Sequence, residues 1–329
     1  MKTLLTFAAA ATLTITASAN PLVIYSERNE QLIKPLLDRY SEVSGVEYEL
    51  LIDKSAPLIA KLKAEGKRTQ ADILITVDAG NLWHAANEGV LQSVESTTLE
   101  EKVPAELQDP NNQWFALTVR ARTIVFHKDR VNPADLSTYE ALADDKWKGR
   151  LCLRTSKKVY NQSLVGSMIN RLGEDKTMDI VSGWVKNLAT QPTSSDTKAL
   201  DAILAGQCDV ALVNTYYFGR KVKEDPSLPL EIFWPNQQTS GVHINVSGAG
   251  VTKHSDQPDA AIAFLEWMVS DEAQAMYASM DMEFPVVKGA KLDPIVESWG
   301  NFKADSNPVY KAGEYQRKAV MLMDAAQYK

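Results

Sequence analysis

The sequence predicts an α/β protein with a doubly wound, mostly parallel sheet and two successive halves. Short apolar segments alternate with amphipathic helical segments, and such strand–helix–strand repetition is typical of parallel sheets covered by helices. The alternation occurs once before residue 100 and again after residue 149. The chain has 329 residues, which is enough for two domains of ordinary size, each with its own hydrophobic core.

The first half contains three predicted strands, each followed by a helical segment. The strands cover residues 22–27, 48–53 and 71–78. After the first strand, apolar residues recur at helical spacing from Leu32 to Val43, which predicts an amphipathic helix. Alanine, leucine, lysine and glutamate at the surface positions of these segments also favour helices.

The second half begins with a predicted strand at 149–154. Two helical segments, QSLVGSMINRL and TKALDAILAG, then lead to an apolar strand at 210–213. Long extended segments at 114–128 and 242–254 flank this half. One or two helices are predicted in the segment that follows, PDAAIAFLEWMVSDEAQAMYASM.

The first 19 residues have the features of a secretory signal peptide. Lys2 gives a basic start, residues 4–15 are apolar, and a small-residue cleavage site follows at 17–19. We expect a mature protein that begins at Asn20 and is soluble outside the cytoplasm, because no other segment approaches a membrane span. Removal of Lys2 changes the formal net charge from −7 to −8, which argues against nucleic acid and anionic membrane surfaces as partners.

The two cysteines, Cys152 and Cys208, each stand at the start of a predicted strand. In an oxidising compartment such a pair is often bridged, so we expect a disulfide bond between them. Two buried thiols are the alternative. A metal site built on these two thiolates is not indicated, because no histidine follows at ligand spacing.

The segment CDVALVNTYYFGR, residues 208–220, ends an apolar strand on two adjacent tyrosines. Tyr216 and Tyr217 therefore fall at the carboxyl end of a predicted parallel strand, where open α/β sheets bind ligands. Neighbouring side chains of an extended backbone point in opposite directions, so the two tyrosines can share one ligand only if the chain turns here. The alternative is that one ring belongs to the core and the other to a rim.

Several motifs, spread nearly from end to end of the chain, carry a resemblance to a known family. The most specific are YNQS and NTYYFGR, and the others are VIYSER, ADILITVDAG, VRARTIVFHK, LSTYEALADDKWKGRLCLR, NVSGAGV and AIAFLEWMVSDEAQ. On these residues the chain resembles the periplasmic ferric-iron-binding proteins, which are the substrate-binding components of iron ABC transporters.

The resemblance implies two α/β lobes joined by crossing strands, with the ligand in the cleft between them. The first lobe would combine residues 20–120 with residues from about 245 to 329, and the second lobe would cover about 121–244. The protein would be a monomeric periplasmic carrier, rather than an enzyme, that delivers ferric iron to the permease of an inner-membrane ABC transporter.

The same resemblance implies that Tyr160, Tyr216 and Tyr217 bind the iron. Ferric iron is a small, hard trivalent cation, and phenolate oxygen is a hard anionic donor. Free tyrosine has a pKa near ~10, and a bound cation favours its deprotonated form. Three phenolates would neutralise the three charges of the metal and lower the cost of placing it in a cleft.

The sequence departs from the family soon after the first strand, where several relatives carry His-Tyr and this chain has Asn29 and Glu30. Either Glu30 reaches the iron as a carboxylate, or exogenous ligands fill the open positions. We expect the second arrangement, with carbonate or bicarbonate on the metal, as some relatives have. A plain role for Glu30 as a favourable charge at a helix N-terminus is also open.

Three arginines are predicted to hold such an anion: Arg28, Arg120 and Arg122. Arginine binds planar oxyanions through its bidentate fork. Arg28 lies beside the Asn29–Glu30 departure, and the spacing of two between Arg120 and Arg122 puts them on one face of an extended segment. Surface salt bridges are the alternative role for the last two.

Two other classes of function are weaker. A binding protein of the same fold for a small organic ligand or oxyanion, such as a polyamine or thiosulfate, would not need paired tyrosines. A secreted enzyme would need a nucleophile with its base, and neither a G-x-S-x-G nor an H-E-x-x-H motif occurs.

Overall fold

The structure is a computed structural model that describes residues 20–329. The predicted signal peptide, residues 1–19, lies outside the described residues. Within residues 20–329, no helix is both long enough and apolar enough to span a membrane.

Nine strands of the described chain form one mixed sheet. In chain order they are β1 (Leu22–Ser26), β2 (Tyr48–Ile52), β3 (Ile73–Thr76), β4 (Phe115–His127), β5 (Leu151–Cys152), β6 (Val210–Asn214), β7 (Leu230–Phe233), β8 (Ile244–Val251) and β9 (Phe284–Pro285). Their order across the sheet is β2-β1-β3-β8-β4-β6-β5, and β7 and β9 also pair with β4. β1 is parallel to β2 and β3, and β5 is parallel to β6, as the strand–helix alternation predicts.

Helices cover both faces of the sheet between the strands. In the described chain they are α1 (Glu30–Ser44), α2 (Ser55–Glu65), α3 (Ala79–Asn87), α4 (Thr97–Lys102), α5 (Val159–Leu172), α6 (Glu174–Asn187), α7 (Asp196–Leu204), α8 (Thr215–Glu224), α9 (Pro258–Met268), α10 (Asp271–Asp281), α11 (Pro294–Ser298) and α12 (Lys311–Ala325). The segment after residue 254 forms two helices, because the Ser270 hydroxyl accepts a hydrogen bond from the backbone N–H of Ala273 and so caps α10.

The two predicted extended segments form β4 and β8, which run side by side through the middle of the molecule. β4 pairs with β8 from Phe115 to Ala121, and then with β6 from Arg122 to Phe126. Every residue of both strands is buried. The continuous strand β4 therefore connects the two halves of the sheet, and its partner changes from β8 to β6 between Ala121 and Arg122.

The hydrophobic side chains separate into distinct cores. One core contains side chains from β1, β3, β8, α1, α3, α9 and α10, and we call the elements around it the first lobe. Two smaller clusters contain Phe126 and Leu212 in one case and Val125 and Val213 in the other, and we call the elements around them the second lobe. Alternate residues of β4 and β6 thus serve two cores on opposite faces.

The C-terminal helix differs from the predicted lobe assignment, which placed residues up to 329 in the first lobe. The apolar face of α12, including Ala319, Leu322 and Met323, packs into the core of the second lobe against α5. Gly166 permits this close approach, because a Cβ there would lie 3.1 Å from the carbonyl oxygen of Ala312. The helix also contacts α3, so α12 spans both lobes.

The strand predicted at 149–154 is shorter than expected. Only Leu151 and Cys152 pair with β6, as β5. Gly149 adopts a left-handed conformation with φ of 70°, so the chain still turns at the predicted start of the strand. Beyond β5, Arg154 makes a single bridge to Thr193, at the edge of the sheet.

The predicted disulfide bond is present in the structure. Cys152, in β5, is joined to Cys208, which lies just before β6, with a sequence separation of 56 residues. Both residues are buried in the second lobe, in the cluster that contains Val213. The bond closes a loop that includes α5, α6 and α7.

We expect oxidised protein to show no free thiols when it is titrated in denaturant without reductant, and two after reduction. Reduction should lower the free energy of unfolding by up to about 4 kcal/mol, because a loop of this length loses entropy in the unfolded chain when it is cross-linked. Urea unfolding with and without reductant measures this. Two thiols in the unreduced protein would contradict the assignment.

Candidate functional site

A cleft of about 480 Å³ opens between the two lobes, beside the residues where β4 changes partner. Both lobes contribute side chains, and most of these are polar or charged. The lining residues are Glu27, Arg28, Asn29, Leu32, Ile52, Asp53, Lys54, Val77, Arg120, Lys158, Tyr160, Tyr216, Tyr217, Arg220 and Glu283.

The three predicted tyrosines meet at the second-lobe side of this cleft. β6 ends at Asn214 and α8 begins at Thr215, so Tyr216 and Tyr217 stand in the first turn of a helix. Their ring centroids lie 4.3 Å apart. The chain therefore turns at the point where a shared ligand requires it, and the two neighbours do not point to opposite faces of a strand.

Tyr160 reaches the same place from another element. It is the second residue of α5, and its phenol oxygen accepts a hydrogen bond from the Tyr216 hydroxyl at 3.2 Å. Tyr160 and Tyr216 are buried, whereas Tyr217 is partly exposed. Two helices thus begin at the tyrosine cluster, and the partial positive charge of their N-terminal ends favours negative charge there.

Four cationic side chains surround the tyrosine rings. The Arg120 guanidinium carbon lies 5.9 Å from the centroids of both Tyr160 and Tyr216. Three further cations lie over one or other of the rings: Lys158 at 4.8 Å and Arg154 at 5.3 Å from the Tyr160 centroid, and Arg220 at 5.0 Å from the Tyr216 centroid. These charges stabilise phenolates and repel free cationic ligands.

Burial favours the protonated form of the Tyr160 and Tyr216 phenols. It raises the pKa of Tyr160 to about 12, and the Arg120 guanidinium opposes this rise. Burial also raises the pKa of Tyr216 well above its usual value, and the phenols of Tyr160 and Tyr217 raise it further. At neutral pH these two phenols are neutral, so a metal ion that binds them must displace their protons.

Arg120 is the predicted arginine that remains available in the cleft. Its side chain is buried, and one terminal nitrogen donates to the Ser247 hydroxyl. The Arg120 Nε has no partner in the structure. No carboxylate lies in ion-pair contact with Arg120 among the described residues, and its charge faces the tyrosine rings.

Arg28 lines the cleft, but both of its terminal nitrogens are already engaged, and only its Nε has no partner. Its guanidinium donates to Ser247 at 2.6 Å, to Glu283 at 3.2 Å and to Asp281. The two carboxylates hold the pKa of Arg28 above its usual value despite complete burial. Arg28 therefore serves as the cation of a buried charge cluster in the first lobe, which leaves it little capacity to bind an added anion.

Arg122 is not in the cleft, contrary to the interpretation from spacing. It donates to Asp196 and Asn214 at 3.0 Å each, and to the carbonyl oxygen of Leu212 at 3.0 Å. Period-two spacing places Arg120 and Arg122 on one face of β4, but the strand changes partner between them. The fully buried Asp196 carboxylate then draws Arg122 into the second lobe.

Asn29 and Glu30, which stand where several relatives carry His-Tyr, differ in their position relative to the cleft. Asn29 lines the cleft and caps α1, where its side-chain oxygen accepts from the backbone N–H of Gln31 at 3.1 Å. Glu30 is the first residue of α1, is exposed, and is not among the lining residues. This position suits a charge that interacts favourably with the helix N-terminus.

Several lining residues were not found by sequence reasoning. Arg220 lies three residues after Tyr217, inside the NTYYFGR motif, whereas Lys158 lies two residues before Tyr160, just outside the YNQS motif. Glu27 also adjoins a motif residue, Arg28. Glu283 carried no signal, because it reaches the cleft only through long-range packing of the segment after α10.

The described residues offer no competing metal site of the usual kind. Within residues 20–329, no group of three or more His, Cys, Asp or Glu side chains is arranged to hold a metal ion. Three phenol oxygens, which are hard and potentially anionic donors, converge on the second-lobe side of the cleft, and the carboxylates of Glu27, Asp53 and Glu283 also line it. Such donors suit a hard, highly charged cation better than a soft or borderline one.

Known proteins with the same architecture are numerous. Residues 69–304 match the family model described as bacterial extracellular solute-binding protein. The chain is 40% identical over 312 residues to iron uptake protein A1 of Synechocystis sp., covering 93% of this chain and 87% of that protein. It is 43% identical over 317 residues to iron uptake protein A2 of the same organism, covering 94% and 90%.

A solved structure agrees with this assignment. The Trichodesmium protein IdiA (FutA), in complex with iron and citrate ligands, superposes with a TM-score of 0.90 at 38% identity, covering 94% of this chain and 100% of that one. The likeness therefore extends over both lobes and the cleft. The chain belongs to the family of bacterial extracellular solute-binding proteins, in the group that contains the iron uptake proteins and the periplasmic ferric-iron-binding proteins.

Proposed function

We propose that this protein binds ferric iron in the periplasm and delivers it to the permease of an ABC transporter. The observation that carries the proposal is the convergence of Tyr160, Tyr216 and Tyr217 on one cleft, at the N-terminal ends of two helices. The names of the relatives, iron uptake protein and ferric iron-binding protein, support the same cargo. Export through a signal peptide at 1–19 is part of the proposal.

The donor set explains why the cargo would be trivalent. Three phenolates carry three negative charges, which balance one ferric ion and so reduce the cost of holding it away from bulk water. The surrounding cations and helix N-termini lower the cost of forming these phenolates when the metal displaces their protons. A polyamine is disfavoured, because Arg120, Lys158 and Arg220 would repel a polycation.

An exogenous anion would complete the coordination of the metal. The described first lobe places no tyrosine or histidine on the cleft lining, and Glu30 lies outside it. We assign the role of anion holder to Arg120, assisted by Arg220 and Lys158, and keep carbonate or bicarbonate as the anion expected from the sequence. The structure of the Trichodesmium relative is a complex with iron and citrate ligands, which makes a carboxylate anion a second candidate of the same chemistry.

Delivery would depend on hinge bending at the crossing strands. β4 and β8 connect the lobes, and periplasmic binding proteins open and close around such connections. Because the tyrosines all belong to the second lobe, iron would bind that lobe first. The permease would then act on the closed form of a single protein molecule.

Replacing each tyrosine by phenylalanine keeps the ring and removes only the donor oxygen. We expect Tyr160→Phe, Tyr216→Phe and Tyr217→Phe each to lower ferric affinity by more than about 100-fold, because loss of an outer-shell partner alone costs about 10- to 100-fold. The visible charge-transfer band of the ferric protein should shift or disappear. Chelator competition and absorption spectra measure both effects.

The matched control is Tyr315→Phe, on α12 and away from the cleft, which should leave both affinity and spectrum unchanged. Apo-protein unfolding should change little in the cleft variants. If Tyr216→Phe and Tyr217→Phe both kept full affinity and the full band, the phenolate site would be wrong.

Ferric affinity should rise with pH, because each phenol loses a proton when it binds the metal. The pKa of Tyr160, about 12, and the raised pKa of Tyr216 mean that both start protonated at neutral pH. At least two protons should be released, so affinity should increase about 100-fold per pH unit between about pH 6 and 8. Chelator competition, corrected for protonation of the chelator, gives the slope.

The Tyr160→Phe variant tests the origin of this slope, which should fall by about one proton. An affinity that did not depend on pH in the unmodified protein would mean that its phenols do not bind as phenolates.

The anion should strengthen ferric binding through Arg120. We expect affinity to fall about tenfold when bicarbonate and carboxylates are absent, about the value of one charge-assisted contact. In Arg120→Gln this dependence on the anion should vanish. Arg39→Gln, which alters an exposed arginine of α1, should keep it. Equal affinity with and without either anion in the unmodified protein would refute the anion role.

A further inference from the structure

A buried acidic corner of the first lobe faces the helix that carries the paired tyrosines. The corner is Asp281, Met282 and Glu283, between α10 and β9. Met282 is buried and adopts a left-handed conformation with φ of 57°, which is uncommon for a residue other than glycine. Arg28 donates to both flanking carboxylates. The sharp turn thus directs two carboxylates to one side, toward Arg28.

Helix α8 of the second lobe packs directly on this corner. A Cβ at Gly219 would lie 3.2 Å from the Cβ of Met282, so the two backbones approach as closely as a glycine allows. Tyr216 and Met282 belong to the same apolar cluster. The residues next to Gly219 and Met282 along the chain, Arg220 and Asp281, are therefore neighbours across the lobe boundary.

Each of these neighbours has a buried charged atom without a partner. The Asp281 carboxylate gives one oxygen to Arg28, and its other oxygen, Oδ1, accepts no hydrogen bond. The Arg220 Nη2 donates none. The two side chains do not form an ion pair at 4.0 Å or less. Leaving buried charged atoms unpaired costs free energy. Because these two atoms have opposite charge and lie on touching segments, a second arrangement in which they pair would remove that cost.

We propose that Arg220 and Asp281 form an ion pair between the lobes when the cleft is loaded and closed. The inference rests on the proposed function, since ferric iron is the ligand that closes the cleft. A contact made in only one of two forms shifts the equilibrium toward that form, and it raises the affinity for whatever that form binds. Arg220 is thus a positioning residue that links iron binding to lobe closure.

The position of Arg220 on α8 connects the Arg220–Asp281 pair to Tyr216, one of the proposed iron ligands. Arg220 follows Tyr216 by four residues, so both lie on the same face of α8. Its guanidinium lies 5.0 Å from the centroid of the Tyr216 ring. A rotation of α8 that brings the Arg220 guanidinium to Asp281 would therefore carry the tyrosine with it. Burial raises the pKa of Asp281 while Arg28 and, more weakly, Arg220 lower it, so Arg220 already acts on this carboxylate.

The other cations near the tyrosines are less suited to this role. Arg154 donates to Tyr217 and lies 3.7 Å from Asp196, within the second lobe. Arg120 donates to Ser247 and stands on β4 instead of α8. Lys158 lies over Tyr160, on α5's side of the cluster. Arg220 alone among these four cations stands on the helix that touches the acidic corner.

A double-mutant cycle with Arg220→Gln, Asp281→Asn and the double variant tests the pair. We expect each single variant to lower ferric affinity about tenfold, and the double variant to lower it by about the same factor rather than about 100-fold. The contact between Asp281 and Arg28 cancels in the cycle, because both arms contain it. In the apo-protein, urea unfolding of the same four proteins should show additive effects.

The control cycle pairs Arg220→Gln with Glu283→Gln, which removes the other carboxylate of Arg28. Its effects on ferric affinity should be additive, because Glu283 contacts Arg28 and Thr118 instead of Arg220. Equal coupling between Arg220 and Asp281 in apo unfolding would make the pair a static contact and overturn the proposal, as would additive effects on affinity. If the unmodified protein bound no ferric iron, the proposed function would fail instead, before any cycle is measured.

Discussion

The pairing of strand β4 is the constraint on which the rest of the structure depends. Its thirteen residues are all buried, and the strand exchanges β8 for β6 between Ala121 and Arg122. Backbone hydrogen bonds must be satisfied on both sides of that point, so the two lobes cannot separate without breaking a continuous strand. The cleft lies beside the point where β4 changes partner. Arg120 lines the cleft and belongs to the end of the β4 segment that pairs with β8.

A buried polar network holds the helix of Tyr160 relative to the first lobe and to the crossing strand β8. Asp78 caps α3, accepts from the Ser163 hydroxyl of α5 at 2.9 and 3.0 Å, and accepts from the Asn245 amide of β8 at 2.7 Å. Burial raises the pKa of Asp78 to about 6, although Ser163 and the N–H of Gly80 oppose the rise. One carboxylate thus ties the first lobe, a crossing strand and the helix of Tyr160 together.

The cleft carries excess positive charge, which suits a metal that binds together with an anion. Arg120, Lys158 and Arg220 surround the neutral phenols of Tyr160 and Tyr216, so the site without metal has excess positive charge near these rings. Three phenolates bound to a trivalent cation would leave this excess unchanged, and the proposed anion would offset it. The same electrostatic argument is consistent with the structure of the Trichodesmium relative, which is a complex with iron and citrate ligands.

The sequence alone determined the features that depend on short segments. The alternation of strands and helices and the place of the tyrosine motif at the end of an apolar strand follow from local patterns. The sequence predicted the Cys152–Cys208 bond but left two free thiols open, and it left open whether the chain turns after Asn214; the structure decided both. Tertiary structure decided the rest: that Arg122 pairs with Asp196, that α12 packs on the second lobe, and that Glu283 reaches the cleft. Each of these depends on which distant strand or helix becomes the neighbour. Local periodicity specifies the face on which a side chain lies but not the partner that the face will meet.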